Sequence, residues 1–172
     1  QARQQLQQVR LINITGDVLS PFHLHQWYDL GLEAIVLVNT YGPTETAISC
    51  TAARLCAADA SAARIGIGTP LRHARLYVLD ARRRPLPIGV AGELYVAGAG
   101  LANYYADRAA LTASNFVADP FGPPGTRMYR TGDRVRWNSQ GSLEFLDRMD
   151  HQVKIRGMRV EPSEVRAAVL AL

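Results

Sequence analysis

The segment EAIVLVNTYGPTE, Glu33 to Glu45, joins an unbroken apolar run to a cluster of turn-forming and polar residues. Such a run of aliphatic residues is typical of a strand in a parallel sheet. Gly42 and Pro43 then predict a tight turn directly after the strand. Because open α/β sheets bind ligands in the loops that leave the carboxyl ends of their strands, we expect a ligand site here.

The residues on the amino-terminal side of this segment complete an α/β pattern. Arg10–Ile14 predicts a short buried strand. Ser20 and Pro21 predict the start of a helix, with a capping side chain followed by a first-turn proline, and Gly31 predicts its end. The order strand, helix, strand, loop therefore predicts that residues 1–65 are the end of an α/β subdomain.

Short aliphatic and aromatic segments, separated by turn signals, follow this subdomain. Their spacing predicts a distorted, mostly antiparallel β-barrel over residues 66–149, interrupted by one helix. A strand pair around Gly157 and a helix from Pro162 predict the start of a small α+β domain over residues 150–172. The predicted fold class is thus α/β plus β. Both ends of the chain fall inside predicted helices, so we expect it to be part of a longer protein.

The composition argues against two classes of partner, membranes and nucleic acids. No apolar run approaches 18 residues, so a membrane is not an expected partner. The net charge is +4, but the basic cluster Arg82–Arg84 is not interleaved with aromatic residues, so a nucleic acid is not expected either. Cys50 and Cys56 suggest no disulfide framework, and a reduced, cytoplasmic setting is the expected localisation.

Three polar clusters could carry chemistry, and each also has a structural interpretation. Tyr41, Thr44 and Glu45 offer an aromatic face, a hydroxyl and a carboxylate suited to Mg²⁺, or they simply form a turn. Asp133 follows a glycine and could accept the hydroxyls of a ribose, or it could be a turn former. The charged segment 147–157 could bind phosphate or could be a solvated edge strand.

The order of four motifs along the chain resembles the adenylation domains of nonribosomal peptide synthetases, members of the adenylate-forming superfamily. The motifs are NTYGPTE, GELYVAGAGLANYY, YRTGD and DRMDHQVKIRGMRVEPSEV, and the likeness extends from Arg10 to Leu172. It implies an ATP-dependent ligase that activates an amino acid with ATP and Mg²⁺ and releases pyrophosphate. The acyl group then passes to phosphopantetheine on a carrier-protein domain. The amino-acid substrate, that carrier domain and neighbouring synthetase domains are therefore the expected partners.

The resemblance also implies roles for individual residues. The implied nucleotide site comprises Gly16 and Asn39 at the adenine, Tyr41 stacked on it, Thr44 at the α-phosphate, Glu45 on Mg²⁺, Asp133 at the ribose hydroxyls and Arg148 at the ribose or phosphate. The residues implied in catalysis are Thr44, Glu45, Arg148 and Lys154, with Lys154 in a strand pair that serves the second half-reaction. Asp150 matches the hinge of the small domain. The implied substrate pocket includes Asn13, Thr15, Thr40, Ile48 and Ser49.

Four positions depart from the family pattern: Asp17 replaces Glu, Asn103 and Tyr104 replace Arg and Gly, and Asp147 replaces Gly. We expect Tyr104 to strain or reshape its loop, because glycine there permits a left-handed turn. We expect Asp147 to compete with phosphate for the guanidinium of Arg148.

Two further readings remain open beside the peptide-synthetase one. The first is an acyl-CoA ligase of the same superfamily, although NTYGPTE and QVKIRGMRVEPSEV resemble the synthetases more closely. The second is a non-catalytic nucleotide-binding or scaffold module, against which Glu45, Asp133 and Arg148 argue. The resemblance places the phosphate loop before residue 1 and the adenylation lysine after Leu172, which predicts that this piece is inactive alone.

Overall fold

A computed structural model of the chain describes residue 6 and residues 8–150, 152–155 and 158–170. The strands are β1 Leu11–Ile14, β2 Val36–Tyr41, β3 Thr51–Arg54, β4 Thr69–Pro70, β5 Ala74–Leu79, β6 Gly92–Gly98, β7 Phe116–Ala118, β8 Arg127–Trp137, β9 Leu143–Arg148, β10 Val153–Ile155 and β11 Met158–Val160. The α-helices are α1 Pro21–Asp29, α2 Ala109–Asn115 and α3 Pro162–Leu170, and short 3₁₀ helices span Thr44–Thr46 and Ala57–Ser61.

The first sheet has the strand order β1-β2-β3-β4. Its β1–β2 pair is parallel, whereas β2–β3 and β3–β4 are antiparallel. Helix α1 begins as predicted, because the Ser20 hydroxyl accepts a hydrogen bond from the backbone N of Phe22 and Pro21 occupies the first turn. Apolar side chains of the helix, of β2 and of the segment between β3 and β4 form the core between helix and sheet: Leu24, Leu37, Leu55 and Ile65.

The predicted second strand is displaced toward the carboxyl end. The sequence pattern indicated Glu33–Asn39, but β2 runs from Val36 to Tyr41 because its last four residues pair with β3, for example Tyr41 with Thr51. The side chains of β2 alternate between buried and half-buried, so the expectation of a strand with the burial of a wholly parallel sheet is wrong. Tyr41 therefore stands on a strand and not in the loop.

The second sheet is antiparallel, with the order β5-β6-β8-β7 and with β9 also paired to β8. The long strand β8 pairs with β7 along its first residues and with β9 along Asp133–Trp137. Register irregularities lie between Glu93 and Tyr95 and between Arg134 and Val135. The predicted distorted, mostly antiparallel barrel is confirmed as a curled half-barrel sheet.

A shared core and a short backbone bridge connect the two sheets. The core combines residues of the β2–β4 region with residues of the second sheet: Tyr41, Cys50, Ile67, Leu76, Val78, Leu94, Val96, Val135 and Leu143. Gly68 bridges to Leu143, with a 2.9 Å hydrogen bond from the Leu143 N to the Gly68 O. Gly68 has φ +92°, and a β-carbon there would collide with the Ala52 backbone, so only glycine fits this junction.

The last described elements are a hairpin and a helix. β10 and β11 are antiparallel, with Val153 opposite Val160, and α3 begins at Pro162 as predicted. Gly157, the predicted turn, and Leu172, predicted to lie on the apolar face of the helix, are outside the described residues. No described helix has the length and apolarity needed to cross a membrane. The predicted boundaries at residues 65 and 149 remain predictions.

Candidate functional site

A cavity of about 550 Å³ lies between the carboxyl end of β2, the loop that follows β1, and the β8–β9 pair. Both sheets contribute to its wall. The lining residues are Thr15, Gly16, Asp17, Val18, Leu19, Ser20, Pro21, Asn39, Thr40, Tyr41, Gly42, Ala63, Arg64, Ile65, Ile67, Asp133, Phe145, Asp147, Arg148 and Gln152. The cavity thus brings together several of the predicted site residues from distant parts of the chain.

The adenine-side candidates Gly16, Asn39 and Tyr41 all lie on this wall. Asn39 is buried on β2, and its Nδ2 donates a 3.0 Å hydrogen bond to the backbone O of Gly66. That bond anchors the amide group and fixes its orientation, since a buried polar side chain is costly without a partner. The predicted contacts of these three residues with a base remain predictions.

Asp133 is the most strongly organised acid of the cavity. Its side chain accepts a 2.7 Å hydrogen bond from Arg148 Nη1 at one oxygen and a short hydrogen bond from the Tyr41 hydroxyl at the other. Asp133 and Arg148 are direct cross-strand partners in the β8–β9 register. Strand pairing therefore places this ion pair, in which Asp133 is buried and Arg148 is partly buried.

Burial raises the pKa of the Tyr41 phenol well above its ordinary value, and the adjacent Asp133 charge adds to the shift. The Tyr41 hydroxyl consequently keeps its proton and acts as a donor to the carboxylate. Asp133 is thereby held by a neutral donor and a cation at the same time, which fixes both of its oxygens.

Arg148 extends this network toward the predicted hinge. Its Nε donates to one oxygen of Asp150 at 2.6 Å and its Nη2 to the other at 2.5 Å. The Nη2 atom also donates to the Thr131 backbone O at 3.2 Å. The planar guanidinium therefore connects two acids, Asp133 and Asp150, in the fork geometry that arginine favours. Asp150 itself is exposed and is not among the lining residues.

The turn after β2 is as tight as the Gly-Pro pair predicts. A β-carbon on Gly42 would lie 2.5 Å from the Ile48 O and 2.8 Å from the Cys50 N, so the two ends of the turn touch through backbone. Ala47 and Ile48 both have left-handed backbones, with φ values of 58° and 70°. Such values are unusual for alanine and a genuine outlier for β-branched isoleucine, so this turn stores backbone strain.

The turn directs its two predicted functional residues in different directions. Thr44 is exposed, whereas only 6% of Glu45 is accessible. Neither residue is among the described residues that line the cavity, although Gly42, at the start of the turn, is. The Glu45 Oε1 atom accepts a 2.5 Å hydrogen bond from the Tyr105 hydroxyl.

The role of Glu45 as a ligand of Mg²⁺ remains a prediction. Within the described part of the chain, no group of three or more His, Cys, Asp or Glu residues could hold a metal ion. Mg²⁺ bound with phosphates commonly needs only one or two carboxylates, the remaining ligands being phosphate oxygens and water. A single buried carboxylate fits that arrangement.

The predicted substrate-pocket residues are only partly brought together. Thr15 and Thr40 line the cavity, and the Thr40 hydroxyl donates to Asn13 Oδ1 at 3.0 Å. Ile48 and Ser49 are not among the lining residues. Their predicted role remains a prediction.

The expectation of backbone strain at Tyr104 is wrong, because Tyr104 does not have a left-handed backbone. A reshaped loop, the other outcome expected there, remains a prediction. The expectation for Asp147 is also wrong. Asp147 pairs with Arg134 through a short ion pair and not with Arg148, because it faces Arg134 across the β8–β9 ladder. Lys154 lies on β10, but its side chain is outside the described part of the structure.

Sequence reasoning missed several contacts that span long separations. Arg64 and Phe145 line the cavity but lie outside the four motifs, and Gln152 lies within the last motif but was assigned no role. The hydrogen bond between Glu45 and Tyr105 joins residues 60 positions apart. Tyr105 lies in the motif GELYVAGAGLANYY, but the motif does not indicate its partner.

The family follows from comparison with known proteins. Residues 1–106 match the model of the AMP-binding enzyme family, which is more than half of the chain. The chain belongs to this family.

Individual relatives and solved structures show which members of this family the chain resembles. The chain is 52% identical over 158 residues to the probable non-canonical nonribosomal peptide synthetase CymA of Salinispora arenicola, an alignment that covers 92% of this chain and 2% of that protein. It is 55% identical over 142 residues to the isonitrile lipopeptide synthase of Mycobacterium tuberculosis, with 80% of this chain and 5% of that protein covered.

Among solved structures, the chain is similar to holo-PA1221, an NRPS protein containing adenylation and PCP domains bound to a vinylsulfonamide inhibitor. The TM-score is 0.87 at 34% identity, over 93% of this chain and 28% of that chain. The resemblance to peptide-synthetase adenylation domains is therefore confirmed. The chain spans only a small part of each of these proteins.

Proposed function

We propose that this chain is part of an amino-acid-activating adenylation domain. In that reaction the substrate carboxylate attacks the α-phosphate of ATP, a carboxyl-phosphate bond forms, and the bond to pyrophosphate breaks. The acyl group is then transferred to the phosphopantetheine thiol of a carrier domain. The observation that carries the proposal is the placement of Asn39, Asp133 and Arg148 on one cavity wall, from three separate motifs.

The geometry suits recognition of a nucleoside on this wall. The Asp133 carboxylate is acceptor-only and can accept hydrogen bonds from vicinal hydroxyls of a ribose. Its two protein donors fix its position beforehand, so little ordering remains to be done when a nucleotide binds. Asn39, held by its bond to Gly66, lies on the same wall and supplies the polar edge that an adenine requires.

The protein contributes positioning and charge to the reaction. Aligning the carboxylate with the α-phosphate converts an encounter of two molecules into a step within one complex. Arg148 supplies positive charge near the ribose and phosphate side. Mg²⁺, when bound with ATP, would neutralise phosphate charge, with Glu45 as its candidate protein ligand.

The comparisons support the proposal that this chain has the partners of a peptide-synthetase adenylation domain. The similar solved structures contain adenylation and PCP domains, which is consistent with a carrier domain as partner. We propose the same arrangement here, with an amino acid as the substrate. Because the resemblance places the phosphate loop and the adenylation lysine in other parts of such a domain, the activity is proposed for the protein that contains this chain.

The direct test is exchange of labelled pyrophosphate into ATP by that intact protein across a panel of amino acids. We expect one or a few amino acids to support exchange. Absence of exchange with every proteinogenic and common nonproteinogenic acid would favour the non-catalytic module. Exchange followed by transfer to free CoA, but not to a carrier domain, would favour the acyl-CoA ligase.

A further inference from the structure

The segment Leu101–Tyr105, directly after β6, holds Glu45 at two points. The backbone N of Ala102 donates to the Glu45 O at 2.8 Å. The Tyr105 hydroxyl donates to Glu45 Oε1 at 2.5 Å. This segment thus fixes both the backbone and the side chain of Glu45, although the segment and Glu45 are far apart in the sequence.

Tyr105 is itself held rigidly. Its backbone N donates to the Thr112 hydroxyl at 3.0 Å. Its ring meets Phe116 edge-on, with ring centroids 5.4 Å apart, and its hydroxyl lies 3.2 Å from that of Tyr129. Phe116 and Tyr129 are buried, so the hydroxyl reaches Glu45 from a packed aromatic cluster and not from a mobile loop.

The hydrogen bond between Tyr105 and Glu45 has a defined direction. The Tyr105 hydroxyl is the donor and the Glu45 carboxylate is the acceptor. A carboxylate offers about four acceptor positions, so Glu45 can accept this bond and also bind a cation.

The turn that carries Glu45 needs such support. It ends in the two left-handed residues Ala47 and Ile48, and strained residues of this kind persist only where the surroundings determine them. A side chain on this turn would otherwise depend on the turn alone for its direction.

We propose that Tyr105 is a positioning residue that fixes the Glu45 carboxylate in the orientation that receives Mg²⁺ with ATP. The proposal rests on the proposed function, since it concerns the metal that accompanies the nucleotide. It assigns Tyr105 no contact with the substrate and no part in proton transfer.

The test is a calorimetric titration of ATP into the intact protein that contains this chain, at a series of Mg²⁺ concentrations and in EDTA. Tyr105→Phe removes only the hydroxyl. We expect it to raise the half-saturating Mg²⁺ concentration for ATP binding by about 3- to 10-fold, the range for the loss of one typical hydrogen bond. ATP affinity in EDTA should stay within about twofold of the wild-type value, a difference below the effect of one typical hydrogen bond.

The matched control is Tyr104→Phe, because that neighbouring tyrosine is 69% exposed and should leave the Mg²⁺ dependence unchanged. A second check is a double-mutant cycle. In a Glu45→Gln background, Tyr105→Phe should cause no further change in Mg²⁺ dependence if it acts through Glu45.

An unchanged Mg²⁺ dependence in Tyr105→Phe would overturn the proposal. So would an equal loss of ATP affinity with and without Mg²⁺, which indicates a purely structural role, or wild-type ATP binding that does not respond to Mg²⁺. If the wild-type protein binds ATP in a Mg²⁺-dependent way but shows no pyrophosphate exchange, the proposed function fails, while the comparison of Tyr105→Phe with Tyr104→Phe still decides the role of Tyr105.

Discussion

Asp133 and Glu45 are both buried carboxylates that accept a hydrogen bond from a tyrosine hydroxyl, yet the fold holds them in different ways. Asp133 sits on a long strand, and the neighbouring strand supplies its arginine in direct register. Glu45 sits on a strained turn, and its tyrosine comes from a separate segment. A sheet ladder thus preorganises Asp133, whereas Glu45 depends on contacts from outside its own turn.

The largest expected effect concerns the ion pair of the first acid. Arg148→Ala would leave Asp133 buried without its cation, which typically costs about 3 kcal/mol or more. We expect faster hydrogen exchange of the β8 and β9 amides in the intact protein, measured by mass spectrometry, because local opening becomes easier.

The next pair along the same ladder is the control. Arg134 and Asp147 also face each other across β8 and β9, but their side chains are 49% and 47% exposed. Arg134→Ala should therefore cost at most about 1 kcal/mol. Equal exchange rates in the two variants would show that burial of the Asp133–Arg148 pair does not stabilise the ladder.

These contacts also mark how far sequence alone could predict the molecule. The start of α1 was predictable because Ser20 and Pro21 act within one turn of the chain. The displaced end of β2 was not, because pairing of Tyr41 with Thr51 is a tertiary contact. Asp133 and Arg148 could be selected separately from their motifs, but their direct pairing depends on a strand register that no motif records.

The surroundings of Glu45 could be predicted from the sequence even less completely. The Gly-Pro pair correctly predicted a tight turn. The burial of Glu45 and its bond to Tyr105 depend on how the second sheet packs on that turn, and local patterns carry no information about this packing. For the same reason the pairing of Asp147 with Arg134 differed from the expectation drawn from its sequence neighbour Arg148.

Substitutions at the two ends of the turn that carries Glu45 should change stability differently, and by less than Arg148→Ala. Gly42→Ala would place a methyl group against the Ile48 and Cys50 backbone, and we expect a cost of about 2 kcal/mol because backbone cannot move aside cheaply. Ala47→Gly should instead be neutral or stabilising by up to about 1 kcal/mol, since glycine accepts the left-handed conformation without strain.

Hydrogen exchange of the segment that contains residues 42–50 measures both variants in the intact protein. Opposite signs would support a turn whose strain is concentrated at Ala47 and Ile48. Destabilisation by both substitutions would contradict that distribution of strain.

The central claim is that Asp133 binds the ribose of a nucleotide in the cavity, and titration of ATP into the intact protein tests it most directly. The comparison is between Asp133→Ala and Asp29→Ala, the latter an exposed acid at the end of α1. We expect Asp133→Ala to weaken ATP binding by about 10-fold or more, in line with the loss of hydrogen bonds to a charged group, and Asp29→Ala to leave it unchanged. Equal affinities in the two variants would contradict the ribose-binding role of Asp133.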